Sequence, residues 1–212
     1  MKKVKKYGND AIKTAQLRSG IYGFLAIIYL KELSAESIKS FKKPEVLNNL
    51  KGMGFNPDKK FLNTGENVLS GQLAAEYNRL FIIPPVHISM YASVWLDKDK
   101  ILWGETTSGI KKIIESVGLS YKDNWDGLPD HIGVLFEFMK KLVEKETSAL
   151  ATGDNKTASS CAEYEKRFLN EYMFNWVRKF CETVKKETKS PFYREMAGLT
   201  ERFIEFEEKE VE

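Results

Sequence analysis

The tightest local constraint in the chain is the stretch Leu128 to Met139, LPDHIGVLFEFM, where a Pro-Asp-His triplet stands at the mouth of a strongly apolar helix. Proline suits a first helical position because its missing N–H would find no partner there anyway, so Pro129 starts the helix rather than breaking it. Asp130 falls in the first turn, where a negative charge meets the positive end of the helix dipole. Beyond it Ile132, Leu135, Phe136, Met139, Leu142 and Val143 recur at the three- and four-residue spacing of a core helix. The reading is an acid and an imidazole held at the end of a buried rod and facing outward. That arrangement builds a polar spot inside an apolar groove.

Helical spacing continues along most of the chain. Asn9 or Asp10 caps a first helix expected to run to about Leu33, with Ile21, Phe24, Leu25 and Ile28 inside. Ser34 caps a short helix through Phe41, and Pro44 opens a third that closes at Gly52 or Gly54. Asn56-Pro57 marks another start. A longer helix then spans about Glu66 to Phe81, with Leu69, Leu73, Tyr77, Leu80 and Phe81 on one face. Thr106 or Thr107 caps the next, which Gly118 closes. Ala151–Ser160, ATGDNKTASS, reads as a linker-like loop. Periodicity resumes through Tyr164, Phe168, Tyr172, Trp176, Phe180 and Val184 with a break near Asn170, and Ser190-Pro191 opens a last helix.

Between Phe81 and Glu105 the chain is expected to lie extended over the core. Long connections without regular structure are usually functional or disordered, and Tyr91, Trp95 and Trp103 argue for function. No set of alternating strands and no repeat is visible. The fold expected is an all-α single globular domain of about eight to ten helices. It runs from residue 9 to 207, between a basic arm at 1–8 and an acidic tail at 208–212.

Composition removes several function classes. With 212 residues, 42% hydrophobic and 12% aromatic, the chain can bury one sizeable core. Its 33 basic and 30 acidic residues leave a formal charge of only +3, which does not point to nucleic acid as a partner. Cys161 and Cys181 are the only cysteines and form no CxxC, which speaks against a disulfide framework and for a reducing cytoplasm. Two histidines, His87 and His131, cannot build a His-rich metal centre, and neither metal nor cofactor is expected. The apolar run Ile21–Leu30 is too short to span a bilayer and continues into Lys31-Glu32, so no stable membrane insertion is expected. Gly52-Met53-Gly54 follows no strand and is not a dinucleotide loop.

Catalysis has weak support. Ser89 or Ser93 with His131 and Asp130 would be a nominal triad, but neighbours on one helical turn point about 100° apart. No nucleophile elbow presents a serine. The alternative class is a helical hydrolase or metal enzyme built on Asp130, His131 and Glu137. Asp130-His131 itself admits two readings. In one, Asp130 serves the helix dipole and His131 bonds to a loop carbonyl. In the other, the pair accepts a cationic peptide among aromatics. Tyr77, Leu80 and Phe81 face the same choice between core and groove.

In order along the chain stand EYNRLF (Glu76–Phe81), YASVW (Tyr91–Trp95), WGETT (Trp103–Thr107), Gly118-Leu119, LPDHI (Leu128–Ile132), FLNEYMFNW (Phe168–Trp176) and SPFYREMAGLTERFIEFE (Ser190–Glu207). With these blocks the chain resembles the TorD/DmsD family of redox-enzyme maturation chaperones, related more distantly to the NarJ group. The resemblance implies a TorD-like, all-α cytoplasmic chaperone, not an enzyme, acting as a monomer or a domain-swapped dimer. Its partner would be the apo form of a molybdoenzyme catalytic subunit, held by its twin-arginine leader peptide, its body or both until the cofactor is inserted. The resemblance further implies a leader-binding surface of Tyr77, Leu80, Phe81, Asp130 and His131, with Tyr91, Ser93 and Trp95 on the adjoining loop. Physical reasoning agrees, because a leader with an apolar segment beside arginines needs an apolar groove with a carboxylate, and Asp130 suits a guanidinium.

The chain departs from the family pattern at three points. Gly127 stands where the family usually has Glu, with Asp126 next door; Tyr172 replaces a histidine; Ala92 replaces a frequent glutamate. Fewer acids near the groove imply a client's body, or a leader of less charge, as the main contact. A nucleotide-responsive adaptor, proposed within the family, is a further alternative that no P-loop supports here.

Overall fold

The computed structural model describes residues 9–119 and 127–211, and within them every regular element is helical. The helices are α1 (Asn9–Leu30), α2 (Ala35–Phe41), α3 (Pro44–Gly52), α4 (Lys59–Asn63), α5 (Glu66–Phe81), α6 (Ala92–Leu96), α7 (Glu105–Ser116), α8 (Ile132–Thr152), α9 (Asn155–Tyr172), α10 (Val177–Glu187) and α11 (Pro191–Val211). That makes eleven among the described residues, one more than the upper expectation. The addition is α6, which lies in the segment expected to be extended. The basic arm at 1–8 lies outside the described residues. The expected acidic tail is, through Val211, the end of α11. No helix among the described residues is long and apolar enough to cross a membrane.

Caps explain where the helices begin. Ser34 Oγ accepts from the Ser37 N–H, as its residue type foretells. Asp58 rather than Asn56 caps α4, accepting from Phe61 N at 2.7 Å. The stretch expected to be a linker at 151–160 is a two-residue turn. Gly153, in the left-handed region at φ 75°, ends α8, and Asp154 immediately caps α9 by accepting from Thr157 N. Its small polar residues are thus first-turn chemistry and not a flexible connection. Thr106 does not cap α7 with its own side chain; its N–H and hydroxyl both donate to Asp97, nine residues earlier.

The core is an aromatic stack between α1 and α8, closed by α10 and α11. Tyr22 and Tyr29 of α1 lie 6.2 and 6.0 Å from the Phe136 ring of α8. Phe203 of α11 meets Tyr22 edge-on at 4.7 Å, and Phe180 of α10 meets Tyr29 edge-on at 5.6 Å. The start of α8 approaches the end of α1 closely because position 133 is glycine. A Cβ there would lie 2.7 Å from the Leu30 side chain and 2.9 Å from the Leu30 backbone nitrogen. A backbone atom cannot rotate away, so Gly133→Ala is expected to cost about 1–3 kcal/mol as overpacking, read as a drop in melting temperature.

One polar knot sits within this packing. The Arg18 guanidinium of α1 donates to both oxygens of Glu207 on α11 at 2.7 Å and to Glu165 on α9 at 2.7 Å, with Glu146 of α8 at 3.4 Å. A fork that satisfies a buried carboxylate in this way is geometrically selective. Burial pushes the Glu165 carboxyl up to about 7 against the pull of Arg18. The folded state therefore holds a proton there that the unfolded chain releases near 4.5. This contribution to stability is complete below that value and lost as pH rises to about 7. His131 acts oppositely, since burial lowers it to about 4 from 6.5 and its contribution is lost as pH falls through that window. Glu165→Gln is expected to expose the histidine's effect. Thermal melts of the variant should lose stability more steeply than those of the parent between pH 6.5 and 4.5.

Candidate functional site

The Pro-Asp-His bend and the loop before α6 are stitched into one unit. Ile132 N–H donates to the Met90 carbonyl at 2.8 Å and Ala92 N–H to the Asp130 carbonyl at 3.0 Å, which forms an isolated antiparallel bridge between Tyr91 and His131. The two side chains at the bridge then serve two different helices. Asp130 Oδ2 accepts from Ser93 N at 2.9 Å and so caps α6 from 37 residues away. His131 is the N-cap of α8, its Nδ1 accepting from Gly133 N at 3.2 Å, and its ring meets Tyr91 edge-on at 5.2 Å. Pro129 and Asp130 therefore stand in the turn before the helix, not in its first turn as the sequence reading expects, because the bridge to Tyr91 keeps the backbone extended up to His131. Trp95 completes the unit by donating its indole N–H to the Ser89 carbonyl at 2.9 Å.

Beside this unit lies an open groove of about 750 Å³. Its apolar lining comes from Leu30 and Leu33 around the end of α1, Tyr77 and Phe81 of α5, and Met90 of the loop. Lys31, Glu32, Asn78, Ile82, His87, Ser89, Tyr91, Gly127 and His131 also face it. Tyr77 is held in its wall by donating its hydroxyl to the Tyr29 carbonyl at 2.9 Å. Ile82 is 56% exposed at the groove, and Ile83 beside it is exposed to a similar degree.

Of the residues expected to form the surface, Tyr77, Phe81, Tyr91 and His131 come together in this groove. Leu80, Ser93 and Asp130 do not, because each has no solvent-accessible surface. Leu80 is core. Ser93 and Asp130 are the two ends of the α6 cap, so the outward-facing acid expected at 130 is turned inward by the amide it must satisfy. Trp95 is half-buried and stacks on Trp176 at 6.1 Å, away from the groove lining. The sequence reading missed Leu30, Glu32, Leu33 and Met90. The signal for the first three was the end of the first helix, which stops at Leu30 rather than at Leu33.

The departures from the family pattern also find places. Gly127 lines the groove, whereas Ala92 is buried at the start of α6 and Tyr172 ends α9, neither in the lining. Asp126 lies outside the described residues. The nominal triad is not assembled, since Asp130 and His131 cap different helices and Ser93 has no exposed surface. Among the described residues no three His, Cys, Asp or Glu side chains converge as a metal centre.

The EYNRLF block divides into two faces. Its apolar half packs inward, with Tyr77 and Phe81 lining the groove and Leu80 sealed in the core. Its charged half clamps the turn before α11. Glu76 is bound by a two-pronged Arg79 fork at 2.8 and 2.9 Å and accepts from the Thr188 hydroxyl at 2.8 Å and Lys189 N at 2.7 Å. Although burial opposes it, these bonds draw the Glu76 carboxyl down to about 2. Arg194 of the FYREM segment secures the same turn by donating to the Thr188 carbonyl at 2.8 Å.

An all-helical chain with these interlocked blocks belongs to the nitrate reductase delta subunit family, whose sequence profile matches residues 53–182. Its relatives within the wider TorD/NarJ group include the chaperone protein TorD of Photobacterium profundum, 23% identical over 90% of this chain and 92% of that one. TorD of Vibrio cholerae is 25% identical over 89% of each chain. These relatives are chaperones rather than enzymes, as the sequence reading expects of this chain. A crystal structure described as a candidate redox enzyme maturation protein from Archaeoglobus fulgidus shares the fold, with a TM-score of 0.58 at 19% identity over 89% of this chain and 93% of that one.

The capping role of Asp130 is separable from its charge. Asp130→Asn keeps an acceptor for Ser93 N and should leave α6 intact, whereas Asp130→Ala removes it at a cost of about 0.5–2 kcal/mol. Hydrogen–deuterium exchange checks this: amides across residues 91–96 should exchange faster in the alanine variant only.

Proposed function

We propose that the chain is a cytoplasmic chaperone for the catalytic subunit of an apo-molybdoenzyme, and that it holds a client segment, leader or body, in the groove beside Tyr77. The observation that carries this reading is the groove itself. Leu33, Tyr77, Phe81 and Met90 are each at most 5% exposed, so they form a packed apolar floor. That floor lies under an open groove of about 750 Å³, with Leu30 half-buried at its side and Ile82 standing exposed at its edge. Apolar anchors in a preformed groove bind a segment by removing its hydrophobic side chains from water. Polar groups at the border, including Ser34, Asn78 and Ser89, can accept or donate to the segment's backbone.

No step of this function requires turnover. A chaperone of this kind works by occupancy: it covers an apolar client segment until the client folds, then releases it. The groove residues serving that end are Leu30, Leu33, Tyr77, Phe81, Ile82, Met90, Tyr91 and His131. Leu80, Ser93, Trp95 and Asp130 act through position, fixing the wall and the loop from behind. The relatives named TorD support a chaperone of the redox-enzyme maturation kind, and the leader is the client segment whose chemistry best suits an apolar channel.

Isothermal titration with a synthetic leader peptide tests the assignment. Ile82→Glu places a charge on an exposed wall position, so folding should be unaffected and the melting temperature unchanged. Affinity should fall at least about tenfold, equivalent to roughly 1.4 kcal/mol. An unchanged affinity in a folded variant would remove the groove as the binding surface.

A further inference from the structure

We propose that Glu32, not Asp130, is the group that reads positive charge in the groove, and that it takes a single basic side chain of an otherwise apolar client segment. The proposal rests on the groove reading above and adds the chemistry of what the groove selects.

Three observations carry it. Glu32 is the only carboxylate among the described residues lining the channel, and it is exposed. Asp130, the acid expected there, has no accessible surface and spends Oδ2 on the Ser93 amide. Among the described residues Glu32 takes part in no ion pair; Asn78, a neutral amide, donates to its Oε1 and holds the carboxyl in place. A carboxyl group oriented by a neutral donor keeps its charge available for a ligand, whereas one already paired with arginine, like Glu76, does not.

Backbone electrostatics add to the carboxylate. Helices α1 and α5 both end at the groove, at Leu30 and Phe81, and a helix C-terminus carries partial negative charge on its last carbonyls. The last turn of α1 holds no basic residue to offset this. Arg79 in the last turn of α5 is committed to Glu76 and the Glu187 carbonyl. Among the described residues Lys31 is the one lysine or arginine in the lining, so it limits the net attraction and argues against a site for two adjacent cations. Ser34, Ser70, Asn78, Ser89 and the hydroxyls of Tyr77 and Tyr91 add neutral polar groups to the lining, beside the imidazoles of His87 and His131. One carboxyl group and two helix ends suit one guanidinium or ammonium beside an apolar stretch.

Fluorescence anisotropy with labelled peptides tests this on the full chain. Three peptides share one apolar leader segment and differ at its basic pair: Arg-Arg, a single Arg with Gln at the other position, and Gln-Gln. The wild-type protein should bind the first two within about threefold of each other and the third at least about tenfold more weakly. Glu32→Gln should bind all three like the Gln-Gln peptide and lose most of the salt dependence, Glu32→Asp should recover part of the preference, and Asp130→Asn should match the parent. Peptide binding that keeps its charge preference and salt dependence in Glu32→Gln overturns the assignment while leaving the groove reading in place. Equal dependence on both arginines overturns the single-cation claim. If the wild-type protein binds none of the peptides, the groove reading fails and this inference with it.

Discussion

Two backbone hydrogen bonds, from Ile132 to Met90 and from Ala92 to Asp130, hold the functional end of this protein together. They join segments some 40 residues apart and require both to be extended for a residue or two, between helices on either side. Everything near the groove inherits its position from that junction. It sets Asp130 under the first turn of α6, sets His131 at the head of α8, and turns Tyr91 and Met90 toward α5. A helical protein has few ways to fix a loop rigidly, and a short strand-like bridge anchored on a long buried helix is one of them.

Most of the scaffold could be read from the sequence because its cues are local. Apolar spacing located α5, α8 and α11, and Ser34 and Pro44 marked the starts of α2 and α3 within a residue. Errors arose where the deciding partner is distant. Helix α6 is invisible in ASVWL because its cap comes from Asp130, and α7 is capped by Asp97 rather than by either of its own threonines. The groove was half legible for the same reason. Tyr77 and Phe81 could be placed in it from their stripe, but one face of a helix does not tell which of its residues lie at the edge of a core. Leu80, one step further round, is sealed. Asp130 misled because it was read into the first turn of α8, whereas the helix begins only at Ile132 and the acid before it turns to the Ser93 amide, which only the fold brings near.

The motif blocks that carry family membership turn out to be mechanical couplings between distant parts. Glu76 and Arg79 grip the turn that begins α11, while Tyr77 and Phe81, from the same two turns of α5, border the channel. A single helix thus ties the C-terminal helix to the channel wall. This accounts for a mixed charged and aromatic hexapeptide where a purely apolar one would suffice for packing. It also places the departures at Ala92 and Tyr172 outside the groove lining, so they leave its charge to Glu32 and Lys31.

The knot at Arg18 bears on how the chain comes into being. Its main partner, Glu207, is 189 residues further along, so a ribosome adds it long after the arginine has left the exit tunnel. Until then the guanidinium has at most Glu146 and Glu165 to meet, and α1 and α8 lack the strut that α11 supplies. Closure of the bundle around Arg18 therefore waits until Glu207 of α11, 189 residues downstream, has been made and can dock its carboxylate.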